Sequence, residues 1–292
     1  MIIPKPRVIT LIVIQMVVFV VTMYVNNCTS REDYKACVGD YLKRFAFQPI
    51  RENPIYGAST STLMDMGASD RYTVVDKKQA WRLFTSTWLH AGFIQLLTTT
   101  LTMVVIGVYL ECQFGFLRIG VIYIVSGFGG SVISALFNEK PTVASSAAVC
   151  GLLGAMFGEL IINWTIYSNK CAVIFTLLII TAINTTIGIV PRIDIFSLIG
   201  GFLTGLLLGM ILLLRPQLNQ MNETATPARS RAFLPRYKTY QLVVLLVALS
   251  LFSAGYAVSL VMLFKGKKGD QNCSWCHYFS CIPTASWSCK FD

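Results

Sequence analysis

Charge is scarce in this 292-residue chain: 13% of its residues are Asp, Glu, Lys or Arg, against 54% hydrophobic. A soluble domain carries about a quarter charged residues, which argues against disorder, a nucleic-acid-binding domain and a small disulfide scaffold. Histidine is scarcer still, with only His90 and His277. Any chemistry that needs an imidazole base or metal ligand must use one of these two. The formal net charge of +10 comes without a basic face carrying stacking aromatics, so no nucleic-acid partner is expected.

What the chain does have is apolar length. Uncharged stretches of about 20 residues can cross a ~30 Å hydrocarbon layer. Unpaired backbone is too costly in lipid for such stretches to be anything but helices. The sequence predicts an all-α integral membrane protein with seven spans and the lipid bilayer as its first partner. Residues 1–7 form a short N terminus, 8–25 the first span and 26–90 a long polar loop. Residues 91–214 hold five spans, at 91–110, 119–137, 143–162, 172–190 and 195–214. A basic loop (215–239), a seventh span (240–264) and a cysteine-rich tail (265–292) complete the chain. Lys5 and Arg7 ahead of the first span would also suit a cleaved signal. That run exceeds the usual ~7–15-residue signal core, and no small-x-small site follows Val25, so a retained helix is expected.

With the N terminus cytosolic, nine Lys or Arg fall on cytosolic segments and six on the short loops and tail opposite. The long 26–90 loop counts for little in this rule. The expected location is the secretory system or plasma membrane, with the C terminus luminal or extracellular. That orientation places Cys28, Cys37, Cys273, Cys276, Cys281 and Cys289 in an oxidising compartment, where an even six suggests disulfides of unassigned connectivity. Cys273-Ser274-Trp275-Cys276-His277 also fits a CxxCH haem attachment or part of a zinc knuckle. An isolated tail offers no haem pocket, so disulfides are preferred and no cofactor or metal is expected. Within the spans, Gly154 and Gly158, then Gly201, Gly205 and Gly209, recur at four-residue spacing, and Gly127, Gly129 and Gly130 cluster. Small residues at this spacing let helix backbones approach closely, which predicts a tight bundle.

Several motifs resemble the rhomboid family. They are Trp81-Arg82, Trp88-Leu89-His90-Ala91-Gly92-Phe93, Leu110-Glu111 with Gly115, Ser126-Gly127-Phe128-Gly129-Gly130, Gly151-Leu152-Leu153-Gly154 and Ile199-Gly200-Gly201-Phe202-Leu203-Thr204-Gly205. The loop Arg44 to Pro54 and the cysteine tail resemble the plant secretase-type branch most closely. The resemblance implies a six-helix core plus one C-terminal transmembrane helix. It also implies structural roles for Trp81, Arg82, His90, Glu111, Gly154, Gly158, Gly201 and Gly205.

Active rhomboids are intramembrane serine proteases. In them the serine of Gly-x-Ser-Gly on helix four is activated by a helix-six histidine, while a histidine and an asparagine on helix two bind the oxyanion. By ungapped alignment Gly-x-Ser-Gly falls on Ala144-Ser145-Ser146-Ala147, which puts Ser146 at the nucleophile position and replaces both glycines. The base position is Leu198, and the oxyanion positions are Gln95 and Thr99. A serine hydroxyl is a weak nucleophile without a base, and leucine accepts no proton. No lysine stands inside the second, fourth, fifth or sixth span to replace it.

The resemblance thus implies an inactive member, a pseudoprotease that binds single-pass transmembrane clients. The runner-up is residual serine protease activity through Ser146, and a third reading is a transporter. Glu159, about 13 residues beyond Ser146 and so ~20 Å away along a helix, is expected to be a solvated or snorkelling end residue. Ser145 and Ser146 are expected to cap free N–H groups at a helix start.

Overall fold

The computed structural model describes residues 7–30, 37–188, 194–216, 237–267 and 269. In chain order the α-helices are α1 (Val8–Asn26), α2 (Thr60–Asp65), α3 (Arg82–Thr85), α4 (Phe93–Thr102), α5 (Val108–Phe114), α6 (Phe116–Phe137), α7 (Ser145–Ile162), α8 (Lys170–Gly188), α9 (Ile195–Leu212) and α10 (Thr239–Phe264). A π-helical turn, Met103–Gly107, joins α4 to α5, so the two run on as one span. Only two isolated antiparallel bridges, Val38 with Phe47 and Ser69 with Thr142, interrupt the helical pattern among the described residues.

Among the described residues six helices are long and apolar enough to cross a membrane: α1, α4 with α5, α6, α7, α9 and α10. The expected fifth span falls on α8, whose described apolar part, Lys170–Asn184, is shorter.

Polar side chains fix which helix ends share a side. Glu111, on α5, accepts from the backbone N–H of Arg7 (2.6 Å) and Val8 (2.7 Å), and so holds the start of α1. The Arg215 guanidinium lies 4.5 Å from the centre of the Phe114 ring, which brings the end of α9 to the same place. Asn163, fully buried just past α7, donates to the Leu213 carbonyl (2.8 Å) and accepts from the Arg215 N–H (2.9 Å) and the Gln241 amide (3.3 Å). At the opposite end Arg71 donates to the Gly266 carbonyl after α10, and Gly269 N–H donates to Leu136 in α6 (2.9 Å).

Asn163 therefore gathers the ends of α7 and α9 and the start of α10. Leucine has similar bulk but pairs none of these groups, and each orphaned buried polar group costs about 1–3 kcal/mol. Asn163→Leu is expected to lower the denaturation midpoint in detergent clearly. A midpoint equal to wild type would show that α10 is held by other means.

The centre of the bundle is α7, with 78% of its span buried. It meets α9 through small residues on both helices. A Cβ added to Gly201, Gly205 or Gly209 would run into the backbone of Ala147, Gly151 or Ala155 respectively. One added to Gly154 or Gly158 would run into that of α9, at Phe202 or Leu206. By contrast α10 is peripheral, with only Gln241, Ala248 and Leu263 of its 26 residues buried. It is held to α6 by the Tyr256 hydroxyl on the Val125 carbonyl (2.8 Å) and by stacking of Tyr256 on Phe128.

The segment between α1 and α4 folds over the end of the bundle opposite Glu111. Asn26, at the end of α1, accepts from the Gln48 amide (3.0 Å), Ser59 N–H (2.9 Å) and the Thr62 hydroxyl (3.2 Å). Ser59 caps α2 by accepting from Thr62 N–H (3.2 Å). Gly57 and Gly92 let this loop touch the start of α4 backbone to backbone, because a Cβ on either would enter the other segment's carbonyls.

Candidate functional site

The positions singled out for catalysis lie in the first turns of α7 and α9 and along α4. The start of α7 is fixed by Ala144 N–H donating to the Ser86 carbonyl (2.8 Å). Ser145 is buried and Ser146 half-buried, and neither hydroxyl has a hydrogen-bond partner. The expected capping role is therefore corrected. Capping needs a side chain at the residue before the helix, reaching forward to amides two or three positions on. That residue is Ala144, which has no such group.

Ala147 stands where α6 and α9 meet α7. A Cβ added at Gly130 would lie within 3.0 Å of Ala147 Cβ and of the Ser197 carbonyl, while one at Gly201 would meet the Ala147 backbone. The first helical turn of α9 is set by Asp194, which accepts from the Phe196 (3.1 Å) and Ser197 (3.2 Å) N–H groups. Burial raises the Asp194 pKa, partly offset by hydrogen bonds from Ser134, Phe196, Asn138 and Ser197. Leu198, next to Ser197, is buried. Ser146 and Leu198 each adjoin a residue of this junction, and the side chain at 198, expected to stand at the base position, is hydrocarbon.

On α4, Gln95 is buried and turns its carbonyl oxygen back to accept from Ala91 N–H (2.7 Å), leaving its NH2 group without a partner. The Thr99 hydroxyl donates to carbonyls of its own preceding turn, Gln95 (2.9 Å) and Leu96 (3.0 Å), and lies 3.0 Å from His90 Nε2. Thr99 Oγ1 and His90 Nε2 form one hydrogen bond, whose donor is set by the ring tautomer. His90 is thus tied to Thr99, a pairing that spacing alone did not give.

A Rhomboid domain matches residues 77–215. Over 282 residues the chain is 49% identical to RHOMBOID-like protein 2 of Arabidopsis thaliana, covering 96% of this chain and 88% of that protein. The chain belongs to the rhomboid family. It is also 47% identical over 283 residues to RHOMBOID-like protein 1 of the same plant (96% of this chain, 72% of that one). Inactive RHOMBOID-like protein 8, again from Arabidopsis thaliana, is 38% identical over 285 residues (96% and 81%). Relatives of this rhomboid thus carry names of both kinds.

The remaining motif residues hold the scaffold of this rhomboid together. Arg82 Nη1 donates to the Met64 and Ala68 carbonyls and Nε to Gln79 (2.6 Å), which ties α3 to the end of α2. Its guanidinium stands 4.9 Å from the centre of the half-exposed Trp81 ring. Cys28 and Cys37 form a disulfide. Cys273, Cys276, Cys281, Cys289 and His277 lie outside the described residues. Among the described residues no group of three His, Cys, Asp or Glu is placed to hold a metal ion.

Glu159 is corrected from a solvated end residue to a buried one, 4% exposed. It accepts from Asn163 (3.1 Å) and the Tyr167 hydroxyl and pairs with Arg215 at 3.2 Å. A carboxylate reaches this depth because two hydrogen-bond donors and a guanidinium replace water around it. Sequence reasoning also missed Gln15, bonded to the Tyr123 hydroxyl, and Asn184, bonded to Thr102 (2.8 Å) across α8 and α4. A lone carboxamide in an apolar run was the available signal.

Burial lowers the His90 pKa from 6.5 to about 3, against a smaller raising effect of the Trp88 backbone. The unfolded chain takes up this proton near 6.5 and the folded chain only near 3. Stability is then fully present above the unfolded value and lost as pH falls through that window. Denaturation midpoints in detergent from about pH 7 down to 4 should show this acid limb, flattened in His90→Asn. Parallel limbs in both proteins would assign it to carboxylates instead.

Proposed function

We infer that this chain is a rhomboid pseudoprotease: it keeps the family's helix bundle, has lost its hydrolytic chemistry, and holds single-pass transmembrane proteins. The observation that carries this reading is the base position, where Leu198 is a buried aliphatic side chain. No proton acceptor stands there to activate Ser146. The oxyanion positions add support, since Thr99 is committed to His90 and to its own helix, and only the NH2 group of Gln95 remains to donate. The retained glycine contacts between α7 and α9 support an intact scaffold. In this reading the N terminus is cytosolic, and the protein works in the secretory system or plasma membrane on helices presented to it in the bilayer.

A fluorophosphonate probe applied to the purified protein tests the chemistry, with no labelling expected. Labelling that disappears in Ser146→Ala would establish the alternative, a serine protease with an unorthodox base. That alternative draws on one observation, the Ser146 hydroxyl left without a hydrogen-bond partner. Client holding is tested by co-purification of single-pass membrane proteins. Their recovery should fall when the α4–α8 contact is altered by Asn184→Leu. Unchanged recovery would place binding elsewhere.

A further inference from the structure

Between α1 and α2 the chain makes a compact knuckle whose construction exceeds what a connecting loop requires. The Cys28–Cys37 disulfide closes its base, and Val38 and Phe47 exchange backbone hydrogen bonds (3.0 and 2.9 Å) across its neck. The Thr29 hydroxyl donates to the Lys43 carbonyl (3.3 Å). The top is the turn Asp40–Phe45, entered through Gly39 at φ +71° and bent again at Lys43. Despite this bracing, the turn faces its apolar side chains outward: Tyr41 is 80% exposed, Phe45 41% and Leu42 38%. Lys43 and Arg44 stand exposed among them.

Its position supplies the reason. Arg44 Nε donates to the Tyr24 carbonyl (3.2 Å), and its guanidinium lies 4.0 Å from the centre of the Tyr24 ring. Phe45 meets the same ring at 6.0 Å between centroids. Tyr24 belongs to the last turn of α1 and to its outward face, with Val17, Val20 and Val21, all exposed from the bundle. The knuckle therefore prolongs the lipid-facing side of α1 past the helix end. At that depth aromatic rings favour the headgroup zone and cationic side chains reach phosphates.

We propose that the disulfide-closed knuckle is an interfacial anchor. Tyr41, Leu42 and Phe45 enter the membrane surface beside α1, and Lys43 and Arg44 bind phospholipid headgroup phosphates. The occupant is lipid, because the exposed apolar surface is continuous with the lipid-facing side of α1. The disulfide closes the base of the turn that carries the three apolar side chains, so an oxidising environment favours anchoring.

The test places a benzoylphenylalanine photocrosslinker at Tyr41, and separately at Val17, in the full chain reconstituted into phosphatidylcholine vesicles with or without phosphatidylglycerol. Val17 should give phospholipid adducts throughout and so reports that the bundle is intact. The Tyr41 variant is expected to give phospholipid adducts as well, rising about fivefold with the anionic lipid. It should lose most of them on reduction of the disulfide while Val17 is unaffected. Protein adducts only, or none, from Tyr41 alongside lipid adducts from Val17 would overturn the anchor. Equal yields in the two vesicles would overturn the headgroup contact, and yields untouched by reduction would overturn the role of the disulfide.

Discussion

Gly205→Ala should cost about 3 kcal/mol of stability, whereas the same change at Gly255 should cost little. A single methyl makes the contrast because of what it meets. At Gly205 the added Cβ runs into the Gly151 backbone, and at Gly255 nothing lies within 4 Å. Flexible side chains give way to an intruding methyl, but two helix backbones do so only by separating. In lipid no hydrophobic force offsets that separation, since tails solvate exposed helix as well as a neighbour does. What is lost is dispersion and weak Cα–H···O bonding along the whole seam. Overpacking costs up to about 3 kcal/mol in well-filled cores, a large share of the ~5–15 kcal/mol typical of a folded domain. Denaturation midpoints of the two variants in mild detergent check this. Equal losses would mean that the α7–α9 seam tolerates expansion.

Restoring the chemistry should have the larger functional effect. The combined variant Ala144→Gly, Ala147→Gly, Gln95→His, Thr99→Asn and Leu198→His is expected to cleave a model transmembrane substrate and to take up a fluorophosphonate. The parent should do neither above background. Removal of the base costs about 10⁶ in turnover in a well-studied soluble serine protease. A gain of 10³ or more, on the order of what general-base catalysis contributes, is a modest expectation beside that figure. Local geometry favours the change: α7 and α9 are already in backbone contact at Ala147 and Gly201, so the new histidine need only reach across an existing seam. Thr99→Asn releases His90 from its present partner, and a measured fall in stability should accompany the gain. A folded but inert variant, with its wild-type circular dichroism retained, would show that the scaffold has changed beyond these positions.

The helical architecture was legible because its determinants are local. Apolar length marked α1, α6, α7, α9 and α10 to within a few residues. Four-residue glycine spacing identified the α7 and α9 faces that meet. The expected catalytic positions could be assigned only through motif alignment, since nothing in the composition sets Leu198 apart. What stayed hidden depends on partners far apart in the chain. Glu159 looks like an end residue until Arg215 and Tyr167 are brought beside it. Asn163 acquires its role from carbonyl and amide groups some 50 residues away. The pairing of His90 with Thr99 was equally out of reach, because the two lie on one continuous segment that could have turned either way.

The first helix is bolted at both ends. Glu111 grips its opening amides and Asn26 anchors its close to the folded loop. A helix free at one end answers a thinner or thicker bilayer by tilting or sliding. Here neither movement is open to α1 without breaking polar contacts inside the protein. The bilayer must yield instead, thinning or swelling around a hydrophobic height that the protein sets. In membranes of unequal thickness this chain should draw a collar of matching lipids around itself and carry its own preferred depth from one compartment to the next.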